Sequence, residues 1–237
     1  MAMVPARAEV SNLEGGLPTE ISDARVIDQG ETELQIQSRW ERHRDGSRQF
    51  FVEPQVQYGF APYTHASMTL RGIWGSQDRQ GSGDVRLEVA HQFLREARFV
   101  PALAVTLRVD VPTGHQSHGL DPSLRLAATK TLGQRADTHQ IHANVLVTQN
   151  TAPLPEERRI IQGAIVAYST LVAEKTVGIA DVIRQHERLQ GTVSTIAEVG
   201  LRRDFGNELV LSAGLAHGRG GPDTPRWRMT FGVEKGF

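Results

Sequence analysis

An alternation of apolar and polar residues with a period of two recurs along most of this sequence. In residues 33–40, ELQIQSRW, one face is mostly apolar, whereas Glu, Gln and Arg occupy the other. Successive side chains of a β-strand point to opposite faces, so the pattern indicates strands whose two faces meet different environments. About twelve such stretches can be counted between Glu33 and Phe237, which predicts an all-β fold.

One region breaks this pattern. Residues 159–177 alternate less regularly, and we predict two short strands around a tight turn near 167–170. Residues 177–189 are predicted to belong to a long loop with a helical turn. Elsewhere Gly, Pro, Asp and Asn mark the turns. Longer polar connections at 43–48, 75–83, 112–121, 149–158 and 217–226 contrast with shorter ones at 60–64, 132–138 and 204–208.

The composition excludes several classes of protein. The net charge is −1, which argues against a polybasic nucleic-acid binder and against an acidic disordered chain. The chain has no cysteine, so disulfides, cysteine nucleophiles and thiolate metal sites are excluded. The best candidate for an apolar helix, residues 160–173, is shorter than the about 20 residues that a membrane-spanning helix needs.

The alternation is compatible with two kinds of all-β protein. A soluble antiparallel sandwich alternates, and so does a membrane barrel. Charged residues on nearly every polar face favour a barrel with a wet lumen, as do apolar stripes that extend over about ten residues, the length of a tilted spanning strand. An aromatic content of 6% is low for two aromatic girdles. We predict a closed antiparallel transmembrane β-barrel of about 12 strands, with a soluble β-sandwich binding module as the alternative.

The N-terminus carries a weak processing signal. It lacks the apolar core of a secretory signal, although Ala6-Arg7-Ala8 resembles the end of a cleavage site. We interpret residues 1–16 as a leader remnant or a disordered segment, and residues 17–237 as one β-barrel domain.

Three stretches resemble a known family in their order along the chain. They are TEISDARVIDQGETE at 19–33, VPALAVTLRVDVPTG at 100–114, and GGPDTPRWRMTFGVEKGF at 220–237. Together they resemble a family of outer-membrane β-barrel transporters related to barrels of phenol- and aromatic-degradation pathways. The resemblance extends from about residue 17 to residue 237. Lys235 departs from it, since an aromatic or apolar residue is usual there, and the hairpin near Tyr168 is shorter than in the family.

The resemblance implies a porin-like passive channel in the outer membrane of a Gram-negative bacterium. Phe237 resembles the terminal aromatic residue that the barrel-assembly machinery reads. The implied partners are outer-membrane lipid, that machinery and a small solute of unknown identity, with no nucleic acid. No cofactor is implied, and we expect no enzymatic activity.

The polar faces of the predicted strands supply the candidate channel-lining residues. Both charge signs occur, so the set does not predict ion selectivity. The alternative is a plugged structural or interaction barrel, in which facing Arg and Glu side chains pair and fill a narrow interior. The candidates are Glu33, Gln35, Gln37, Arg39, Glu53, Gln55, Gln57, Arg71, Arg86, Glu88, Arg108, Asp110, Arg125, Glu198, Arg202, Arg226, Arg228 and Glu234.

Two sets of side chains suggest other chemistry. His65 and Ser67 lie two residues apart on one strand face, and a His–Ser pair is the core of outer-membrane lipid hydrolases. We interpret them as rim residues and keep the hydrolase as an alternative.

Histidines at 115, 118, 139 and 142, with Asp121, are candidate metal ligands. We expect these histidines to be solvated and predict no metal.

Overall fold

Twelve antiparallel strands make up the regular structure of the part of the chain that the computed structural model describes, residues 10–76, 81–133 and 139–237. The third strand is interrupted at Arg71, but both of its segments pair with the second. The strands are β1 (Thr32–Arg42), β2 (Arg48–Ala61), β3 (Thr64–Leu70, continued by Gly72–Gly75), β4 (Val85–Leu94), β5 (Ala102–Val111), β6 (Asp121–Thr131), β7 (His139–Gln149), β8 (Ile160–Ala173), β9 (Thr176–His186), β10 (Val193–Asp204), β11 (Leu209–Arg219) and β12 (Trp227–Gly236).

The sheet closes on itself through its first and last strands. Each strand pairs with its neighbour in sequence, and β1 pairs with both β2 and β12. Glu33 faces Gly236 on one side and Gln57 on the other. Among the described residues, each of the twelve strands has a partner on both sides, although the Gly72–Gly75 part of β3 pairs only with β2. A lipid environment demands such closure of a sheet. The predicted barrel of about twelve strands is therefore confirmed, and the β-sandwich is wrong.

The two faces of the barrel have opposite polarity. Large apolar side chains point outward and are exposed, such as Leu107 at 60% and Val199 at 57%. Charged and polar side chains point inward and are buried, such as Gln35 at 3% and Arg202 at 1%. This arrangement inverts that of a water-soluble protein and suits a barrel surrounded by hydrocarbon. Among the residues described, no helix is both long and apolar enough to cross a bilayer.

The irregular region contains two long strands, so two predictions are wrong. Residues Ile160–Ala173 form one strand instead of two, and the tight turn lies at Glu174 and Lys175. Residues Thr176–His186 form a strand instead of a loop with a helical turn. The reason is that β8 and β9 carry apolar residues on both faces, with few polar ones such as Asp181: Ile179 and Ile183 are buried inside the barrel, while Val182 is exposed outside. Without a polar face, the alternation disappears.

The connections divide the barrel into two rims. The loop rim carries the described residues of 43–47, 81–84, 112–120, 150–159, 187–192 and 220–226, with Ser76. The turn rim carries both ends of the barrel domain and the tight turns, among them Pro62-Tyr63 and Glu174-Lys175. Tyr63 and Lys175 have φ of 55° and 57°, the left-handed conformation that a tight hairpin turn requires.

The few aromatic residues are concentrated at the two rims. Near the turn rim, exposed aromatic side chains recur around the barrel at Tyr58, Phe60, Tyr63, Phe93, Tyr168 and Phe205. Near the loop rim, the large exposed rings Phe50, Trp74 and Trp227 cluster on β2, β3 and β12. A low aromatic content therefore suffices for one girdle and part of a second.

Candidate functional site

The barrel interior contains the chain's own N-terminal segment, defined here as residues 10–31. It lies inside the wall, where Leu13, Ile21 and Ala24 are 2%, 1% and 0% exposed. Residues 10–16 were predicted to be leader remnant or disordered, but the structure places them within the barrel. Residues 1–9 lie outside the described residues, and the division at residue 17 stays a prediction.

Inward side chains of the wall bind the backbone of the N-terminal segment. Gly30 and Glu31 form backbone hydrogen bonds with Gly59 of β2, but most amides of the buried stretch 20–24 need side-chain acceptors. Four strands of the wall supply them: the amides of Glu20, Ile21, Ser22 and Ala24 donate to Glu198 (2.8 Å), Asp181 (3.3 Å), Asn144 (3.0 Å) and Thr129 (3.0 Å). Asn144 also donates to the carbonyl oxygen of Ser22 at 2.7 Å.

An apolar cluster holds the other side of the segment. Leu13 and Ile21 pack against inward side chains of β8 to β11, namely Ile165, Ala167, Val177, Ile179, Ile183, Ile196 and Ala216. The contact explains why β8 and β9 have a largely apolar inner face, since that face meets the segment instead of water. The apolar side of the segment therefore lies against β8–β11, while its polar groups reach other strands, as Glu14 reaches Gln57 on β2.

Three glycines on adjacent strands make room for the segment. Gly200 on β10 and Gly214 on β11 are register partners, and a Cβ on either would collide with Pro18. A Cβ on Gly232 of β12 would collide with Leu17. These glycines let the segment approach the backbone of the wall, a role that the sequence reading missed.

One group of ion pairs ties the segment to the wall. The carboxylate of Glu20 accepts from Arg39 and Arg228, each at 3.2 Å. Arg228 also contacts Glu41 at 2.8 Å and Glu198 at 3.1 Å. The charges of this group are almost fully removed from water, where an ion pair is stable only if its members are well hydrogen-bonded.

The space left beside the segment lies along strands β1 to β6. A cavity of about 60 Å³ is bounded there by Arg86, Arg108 and Arg125 on the wall and by residues of the segment. Nearer the loop rim, a second cavity of about 140 Å³ is lined by Arg71, Asp110 and other polar residues. Both cavities lie on the arginine-bearing half of the barrel, opposite the apolar cluster.

The predicted lining residues are placed inside the barrel with one exception. Arg226 is exposed and precedes β12 in the loop 220–226, so its prediction as an inward residue is wrong. It shares the period-two phase of Arg228, but the strand begins only at Trp227 and the alternation does not extend into the loop. The role of the others in lining a channel stays a prediction.

Other inward polar residues were missed. Asp181 lies on a strand that was predicted to be a loop. Asn144 and Thr129 lie on predicted strands, but only charged residues and glutamines were chosen as lining candidates. His142 is 0% exposed and joins the hydroxyl of Thr129 (3.0 Å) to that of Ser169 (2.9 Å).

The His–Ser pair faces the lumen and not the lipid. The amide of Ile27 donates to Nδ1 of His65 at 3.4 Å, so His65 also contacts the N-terminal segment. Ser67 is buried. A lipid hydrolase needs its nucleophile open to the lipid substrate, and this placement does not offer that.

The remaining histidines do not converge on one site. His118 lines the 140 Å³ cavity with Asp121, but Asp121 accepts from Arg188 at 2.6 Å. His139 is exposed and stacks on Tyr168, whereas His142 points inward. In the three described ranges, no group of three or more His, Asp or Glu residues is arranged to hold a metal ion.

Comparison with known proteins identifies the fold. No family model matches the sequence, and no curated protein matches it. Among solved structures, the COG4313 outer membrane channel from Pseudomonas putida F1 superimposes with a TM-score of 0.68 at 12% identity, covering 92% of this chain and 100% of that one.

Two further barrels are similar. The KdgM porin in complex with disordered oligogalacturonate has a TM-score of 0.62 at 9% identity, with 86% of this chain and 99% of that one covered. The β domain of the Bordetella autotransporter BrkA has a TM-score of 0.55 at 12% identity, with coverages of 89% and 100%. At such low identities, the similarity establishes a shared fold, that of outer-membrane channels and porins.

Proposed function

We propose that the chain is a passive channel of a bacterial outer membrane, through which small hydrophilic solutes diffuse past the N-terminal segment. The observation that carries this proposal is the pair of polar cavities beside that segment, inside a closed barrel with an apolar outer face. An apolar outer face is what lipid requires, and a polar interior is what a dissolved solute requires. The nature of the fold neighbours, a channel and a porin, supports the same function.

The proposal includes an orientation and two partners. Outer-membrane barrels have short periplasmic turns and longer outer loops, so the turn rim faces the periplasm and the loop rim faces outward. The outer face contacts outer-membrane lipid. Phe237 is 61% exposed at the turn rim, where the barrel-assembly machinery reads it. The channel performs no covalent chemistry, and His65 serves to hold the N-terminal segment.

A second candidate function rests on the same segment. Its contacts with Glu198, Asp181, Asn144 and Thr129 fill much of the lumen, as expected for a plugged structural barrel. The two candidates differ in one property: a channel conducts ions and a plugged barrel does not. Removal of residues 10–28 would open the lumen in either case, because the wall has every strand it needs for closure.

Planar-bilayer recording separates the two candidates. The full chain and a variant lacking residues 10–28 would each be refolded into micelles, and a gel shift between unheated and boiled samples would verify the barrel. A channel predicts steps from the full chain and larger steps from the deletion variant. If the verified full chain gives no conductance steps and the deletion variant alone gives them, the plugged barrel is favoured. A chain that is soluble and folded without detergent would contradict both candidates.

A further inference from the structure

Four arginines descend the inner wall on consecutive strands. Arg71 interrupts β3, and Arg86, Arg108 and Arg125 lie on β4, β5 and β6. The register sets their heights: Arg86 faces Asp110, Arg108 faces Glu88, and Arg125 faces Thr106, so each lies two residues nearer the turn rim than the one before. We call these four residues the arginine row.

Three members of the row are neutralised by carboxylates. Arg71 contacts Glu53 at 3.3 Å, Arg86 contacts Asp110 at 2.9 Å, and Arg108 is bonded to Glu88. Each of these pairs joins neighbouring strands, as expected for side chains that stabilise the wall.

Arg125 is the exception. It is 8% exposed and donates to the hydroxyl of Ser22, and among the described ion pairs it has no carboxylate partner. A buried guanidinium has five N–H donors, and one neutral hydroxyl satisfies few of them. Its charge is also close to that of Arg108, because the two lie on adjacent strands of the same wall. The carboxylates of Glu88 and Glu20 also act on Arg125, but Glu88 is paired with Arg108, and Glu20 is paired with Arg39 and Arg228. Arg125 is therefore the member of the row whose donors are open to a further anion.

The cavity of about 60 Å³ adjoins Arg125, Arg108 and Arg86. Its volume is that of a few water molecules, enough for one small polar group. The segment contributes Glu14, Asp23 and Arg25 to the opposite side. Burial raises the pKa of Glu14 to about 8, so Glu14 stays mainly protonated near neutral pH. Burial raises the pKa of Asp23 to about 6, so Asp23 is mostly charged there, and Arg25 on the same segment faces it.

The position of the N-terminal segment determines the route of a solute. The segment packs on the apolar cluster of β8 to β11 and crosses the lumen to contact Gln57 on β2 and His65 on β3. The two cavities beside it are bordered by β1 to β6. A solute that enters from the loop rim first meets Arg71 in the 140 Å³ cavity and then meets Arg86, Arg108 and Arg125.

We propose that Arg125, with Arg108 beside it, is a binding site for the carboxylate group of a small anionic solute that passes through the channel. Arginine presents paired N–H donors that match the two oxygens of a carboxylate. The proposal rests on the proposed channel function for the passage of the solute, but binding to Arg125 is a separate property that can be measured without conduction.

Acetate and acetamide provide the test, because they have the same shape and differ in charge. The full chain would be refolded into micelles, and the midpoint of thermal unfolding measured with each compound at matched ionic strength. Binding to the folded state raises the midpoint. We expect acetate to raise it and acetamide not to. The rise in midpoint with acetate should be lost in Arg125→Gln and partly retained in Arg125→Lys. The control is Arg184→Gln, which removes an exposed arginine from the outer face of β9 and should show the same rise as the parent.

Planar-bilayer recording gives the second readout. Acetate should reduce the chloride current of the parent, and Arg125→Gln should raise the half-blocking concentration about tenfold, the effect of losing a charged hydrogen-bonding partner. Equal effects of acetate and acetamide on the parent, or equal responses of Arg125→Gln and Arg184→Gln, would overturn the binding site. If acetate binds in micelles but verified barrels never conduct, the site stands and the channel function fails.

Discussion

Arg202 on β10 donates a hydrogen bond of 3.1 Å to the carbonyl oxygen of Leu17 in the N-terminal segment. The same guanidinium makes two bonds, of 3.0 and 2.8 Å, to the carboxylate of Glu234 on β12. Arg202 and Glu234 are 1% and 2% exposed. One buried arginine therefore links β10 to β12 inside the barrel and fastens the segment to both.

Arg202→Ala should destabilise the folded barrel and loosen the segment. The substitution leaves the carboxylate of Glu234 buried without its partner, which costs about 3–5 kcal/mol. We expect a free energy of unfolding that is lower by this amount in a urea titration of the refolded barrel, and a larger conductance in planar bilayers. Arg203→Ala is the control, because Arg203 is exposed and lies over the ring of Phe205. Equal losses for the two variants would contradict the role given to Arg202.

Val199→Arg distinguishes a lipid-facing surface from a water-facing one. Val199 is 57% exposed at the middle of β10. At the bilayer midplane, an arginine costs about 2–4 kcal/mol, whereas on a water-exposed surface the change would be within about 0.5 kcal/mol. Urea unfolding in lipid vesicles measures the difference. The control is Leu154→Arg, since Leu154 is 65% exposed in the loop 150–159. If Val199→Arg leaves the free energy of unfolding unchanged, the assignment of this face to lipid is wrong.

The channel should conduct more as the pH rises, because of Glu14. Burial, aided by the charge of Glu234, raises the pKa of Glu14 from 4.5 to about 8, and Gln35 donates to it at 2.6 Å. With the segment seated, Glu14 holds its proton; with the segment displaced, it releases the proton at its ordinary pKa. The seated state is therefore favoured most below pH 4.5, loses stability up to about pH 8 and changes no further above that.

Conductance recorded between pH values of about 6.5 and 8 excludes most of the titration of Asp23, because its raised pKa, about 6, lies below that window. We expect conductance to rise across the window in the parent and to rise less in Glu14→Gln, in which Asp181, the acceptor of the Ile21 amide, is unchanged. Arg25, Glu33 and Arg202 are the other charged groups near these carboxyls, and they are unchanged in the variant. An identical pH profile for the two proteins would refute the role of Glu14.

Phe237→Ala should separate assembly from stability. Phe237 exchanges backbone hydrogen bonds with Thr32, at 2.9 and 3.4 Å, and alanine retains both. Its exposed ring contributes little to the barrel itself. We therefore expect normal refolding in micelles but a lower yield of barrel in the outer membranes of cells. The comparison variant is Phe205→Ala, which removes an exposed ring from the same rim. Equal yields of the two variants in cells would exclude an assembly signal at Phe237.

The sequence predicted some strands correctly and others not, depending on whether the strand has one polar and one apolar face. Where one face is polar and the other apolar, as in residues 33–40, the alternation predicted the strand and its inward side chains. In β8 and β9 it failed, because Ile165 and Ile179 face the apolar side of the N-terminal segment and remove the polar face. Arg226 shows the opposite error, since the alternation was extended beyond the end of a strand.

The sequence by itself determined most of the strands and the polarity of their two faces, because a side-chain period of two is a local property that each strand expresses independently. Only the tertiary structure decided what fills the lumen. Residues 10–31 have no periodicity, and their partners are distant: Glu20 meets Arg228 across a separation of 208 positions. The tertiary structure also decided that the other arginines of the row each pair with a carboxylate, whereas Arg125 has no such partner among the described ion pairs. Such contacts arise from the closure of the whole sheet, so no local pattern of residues encodes them.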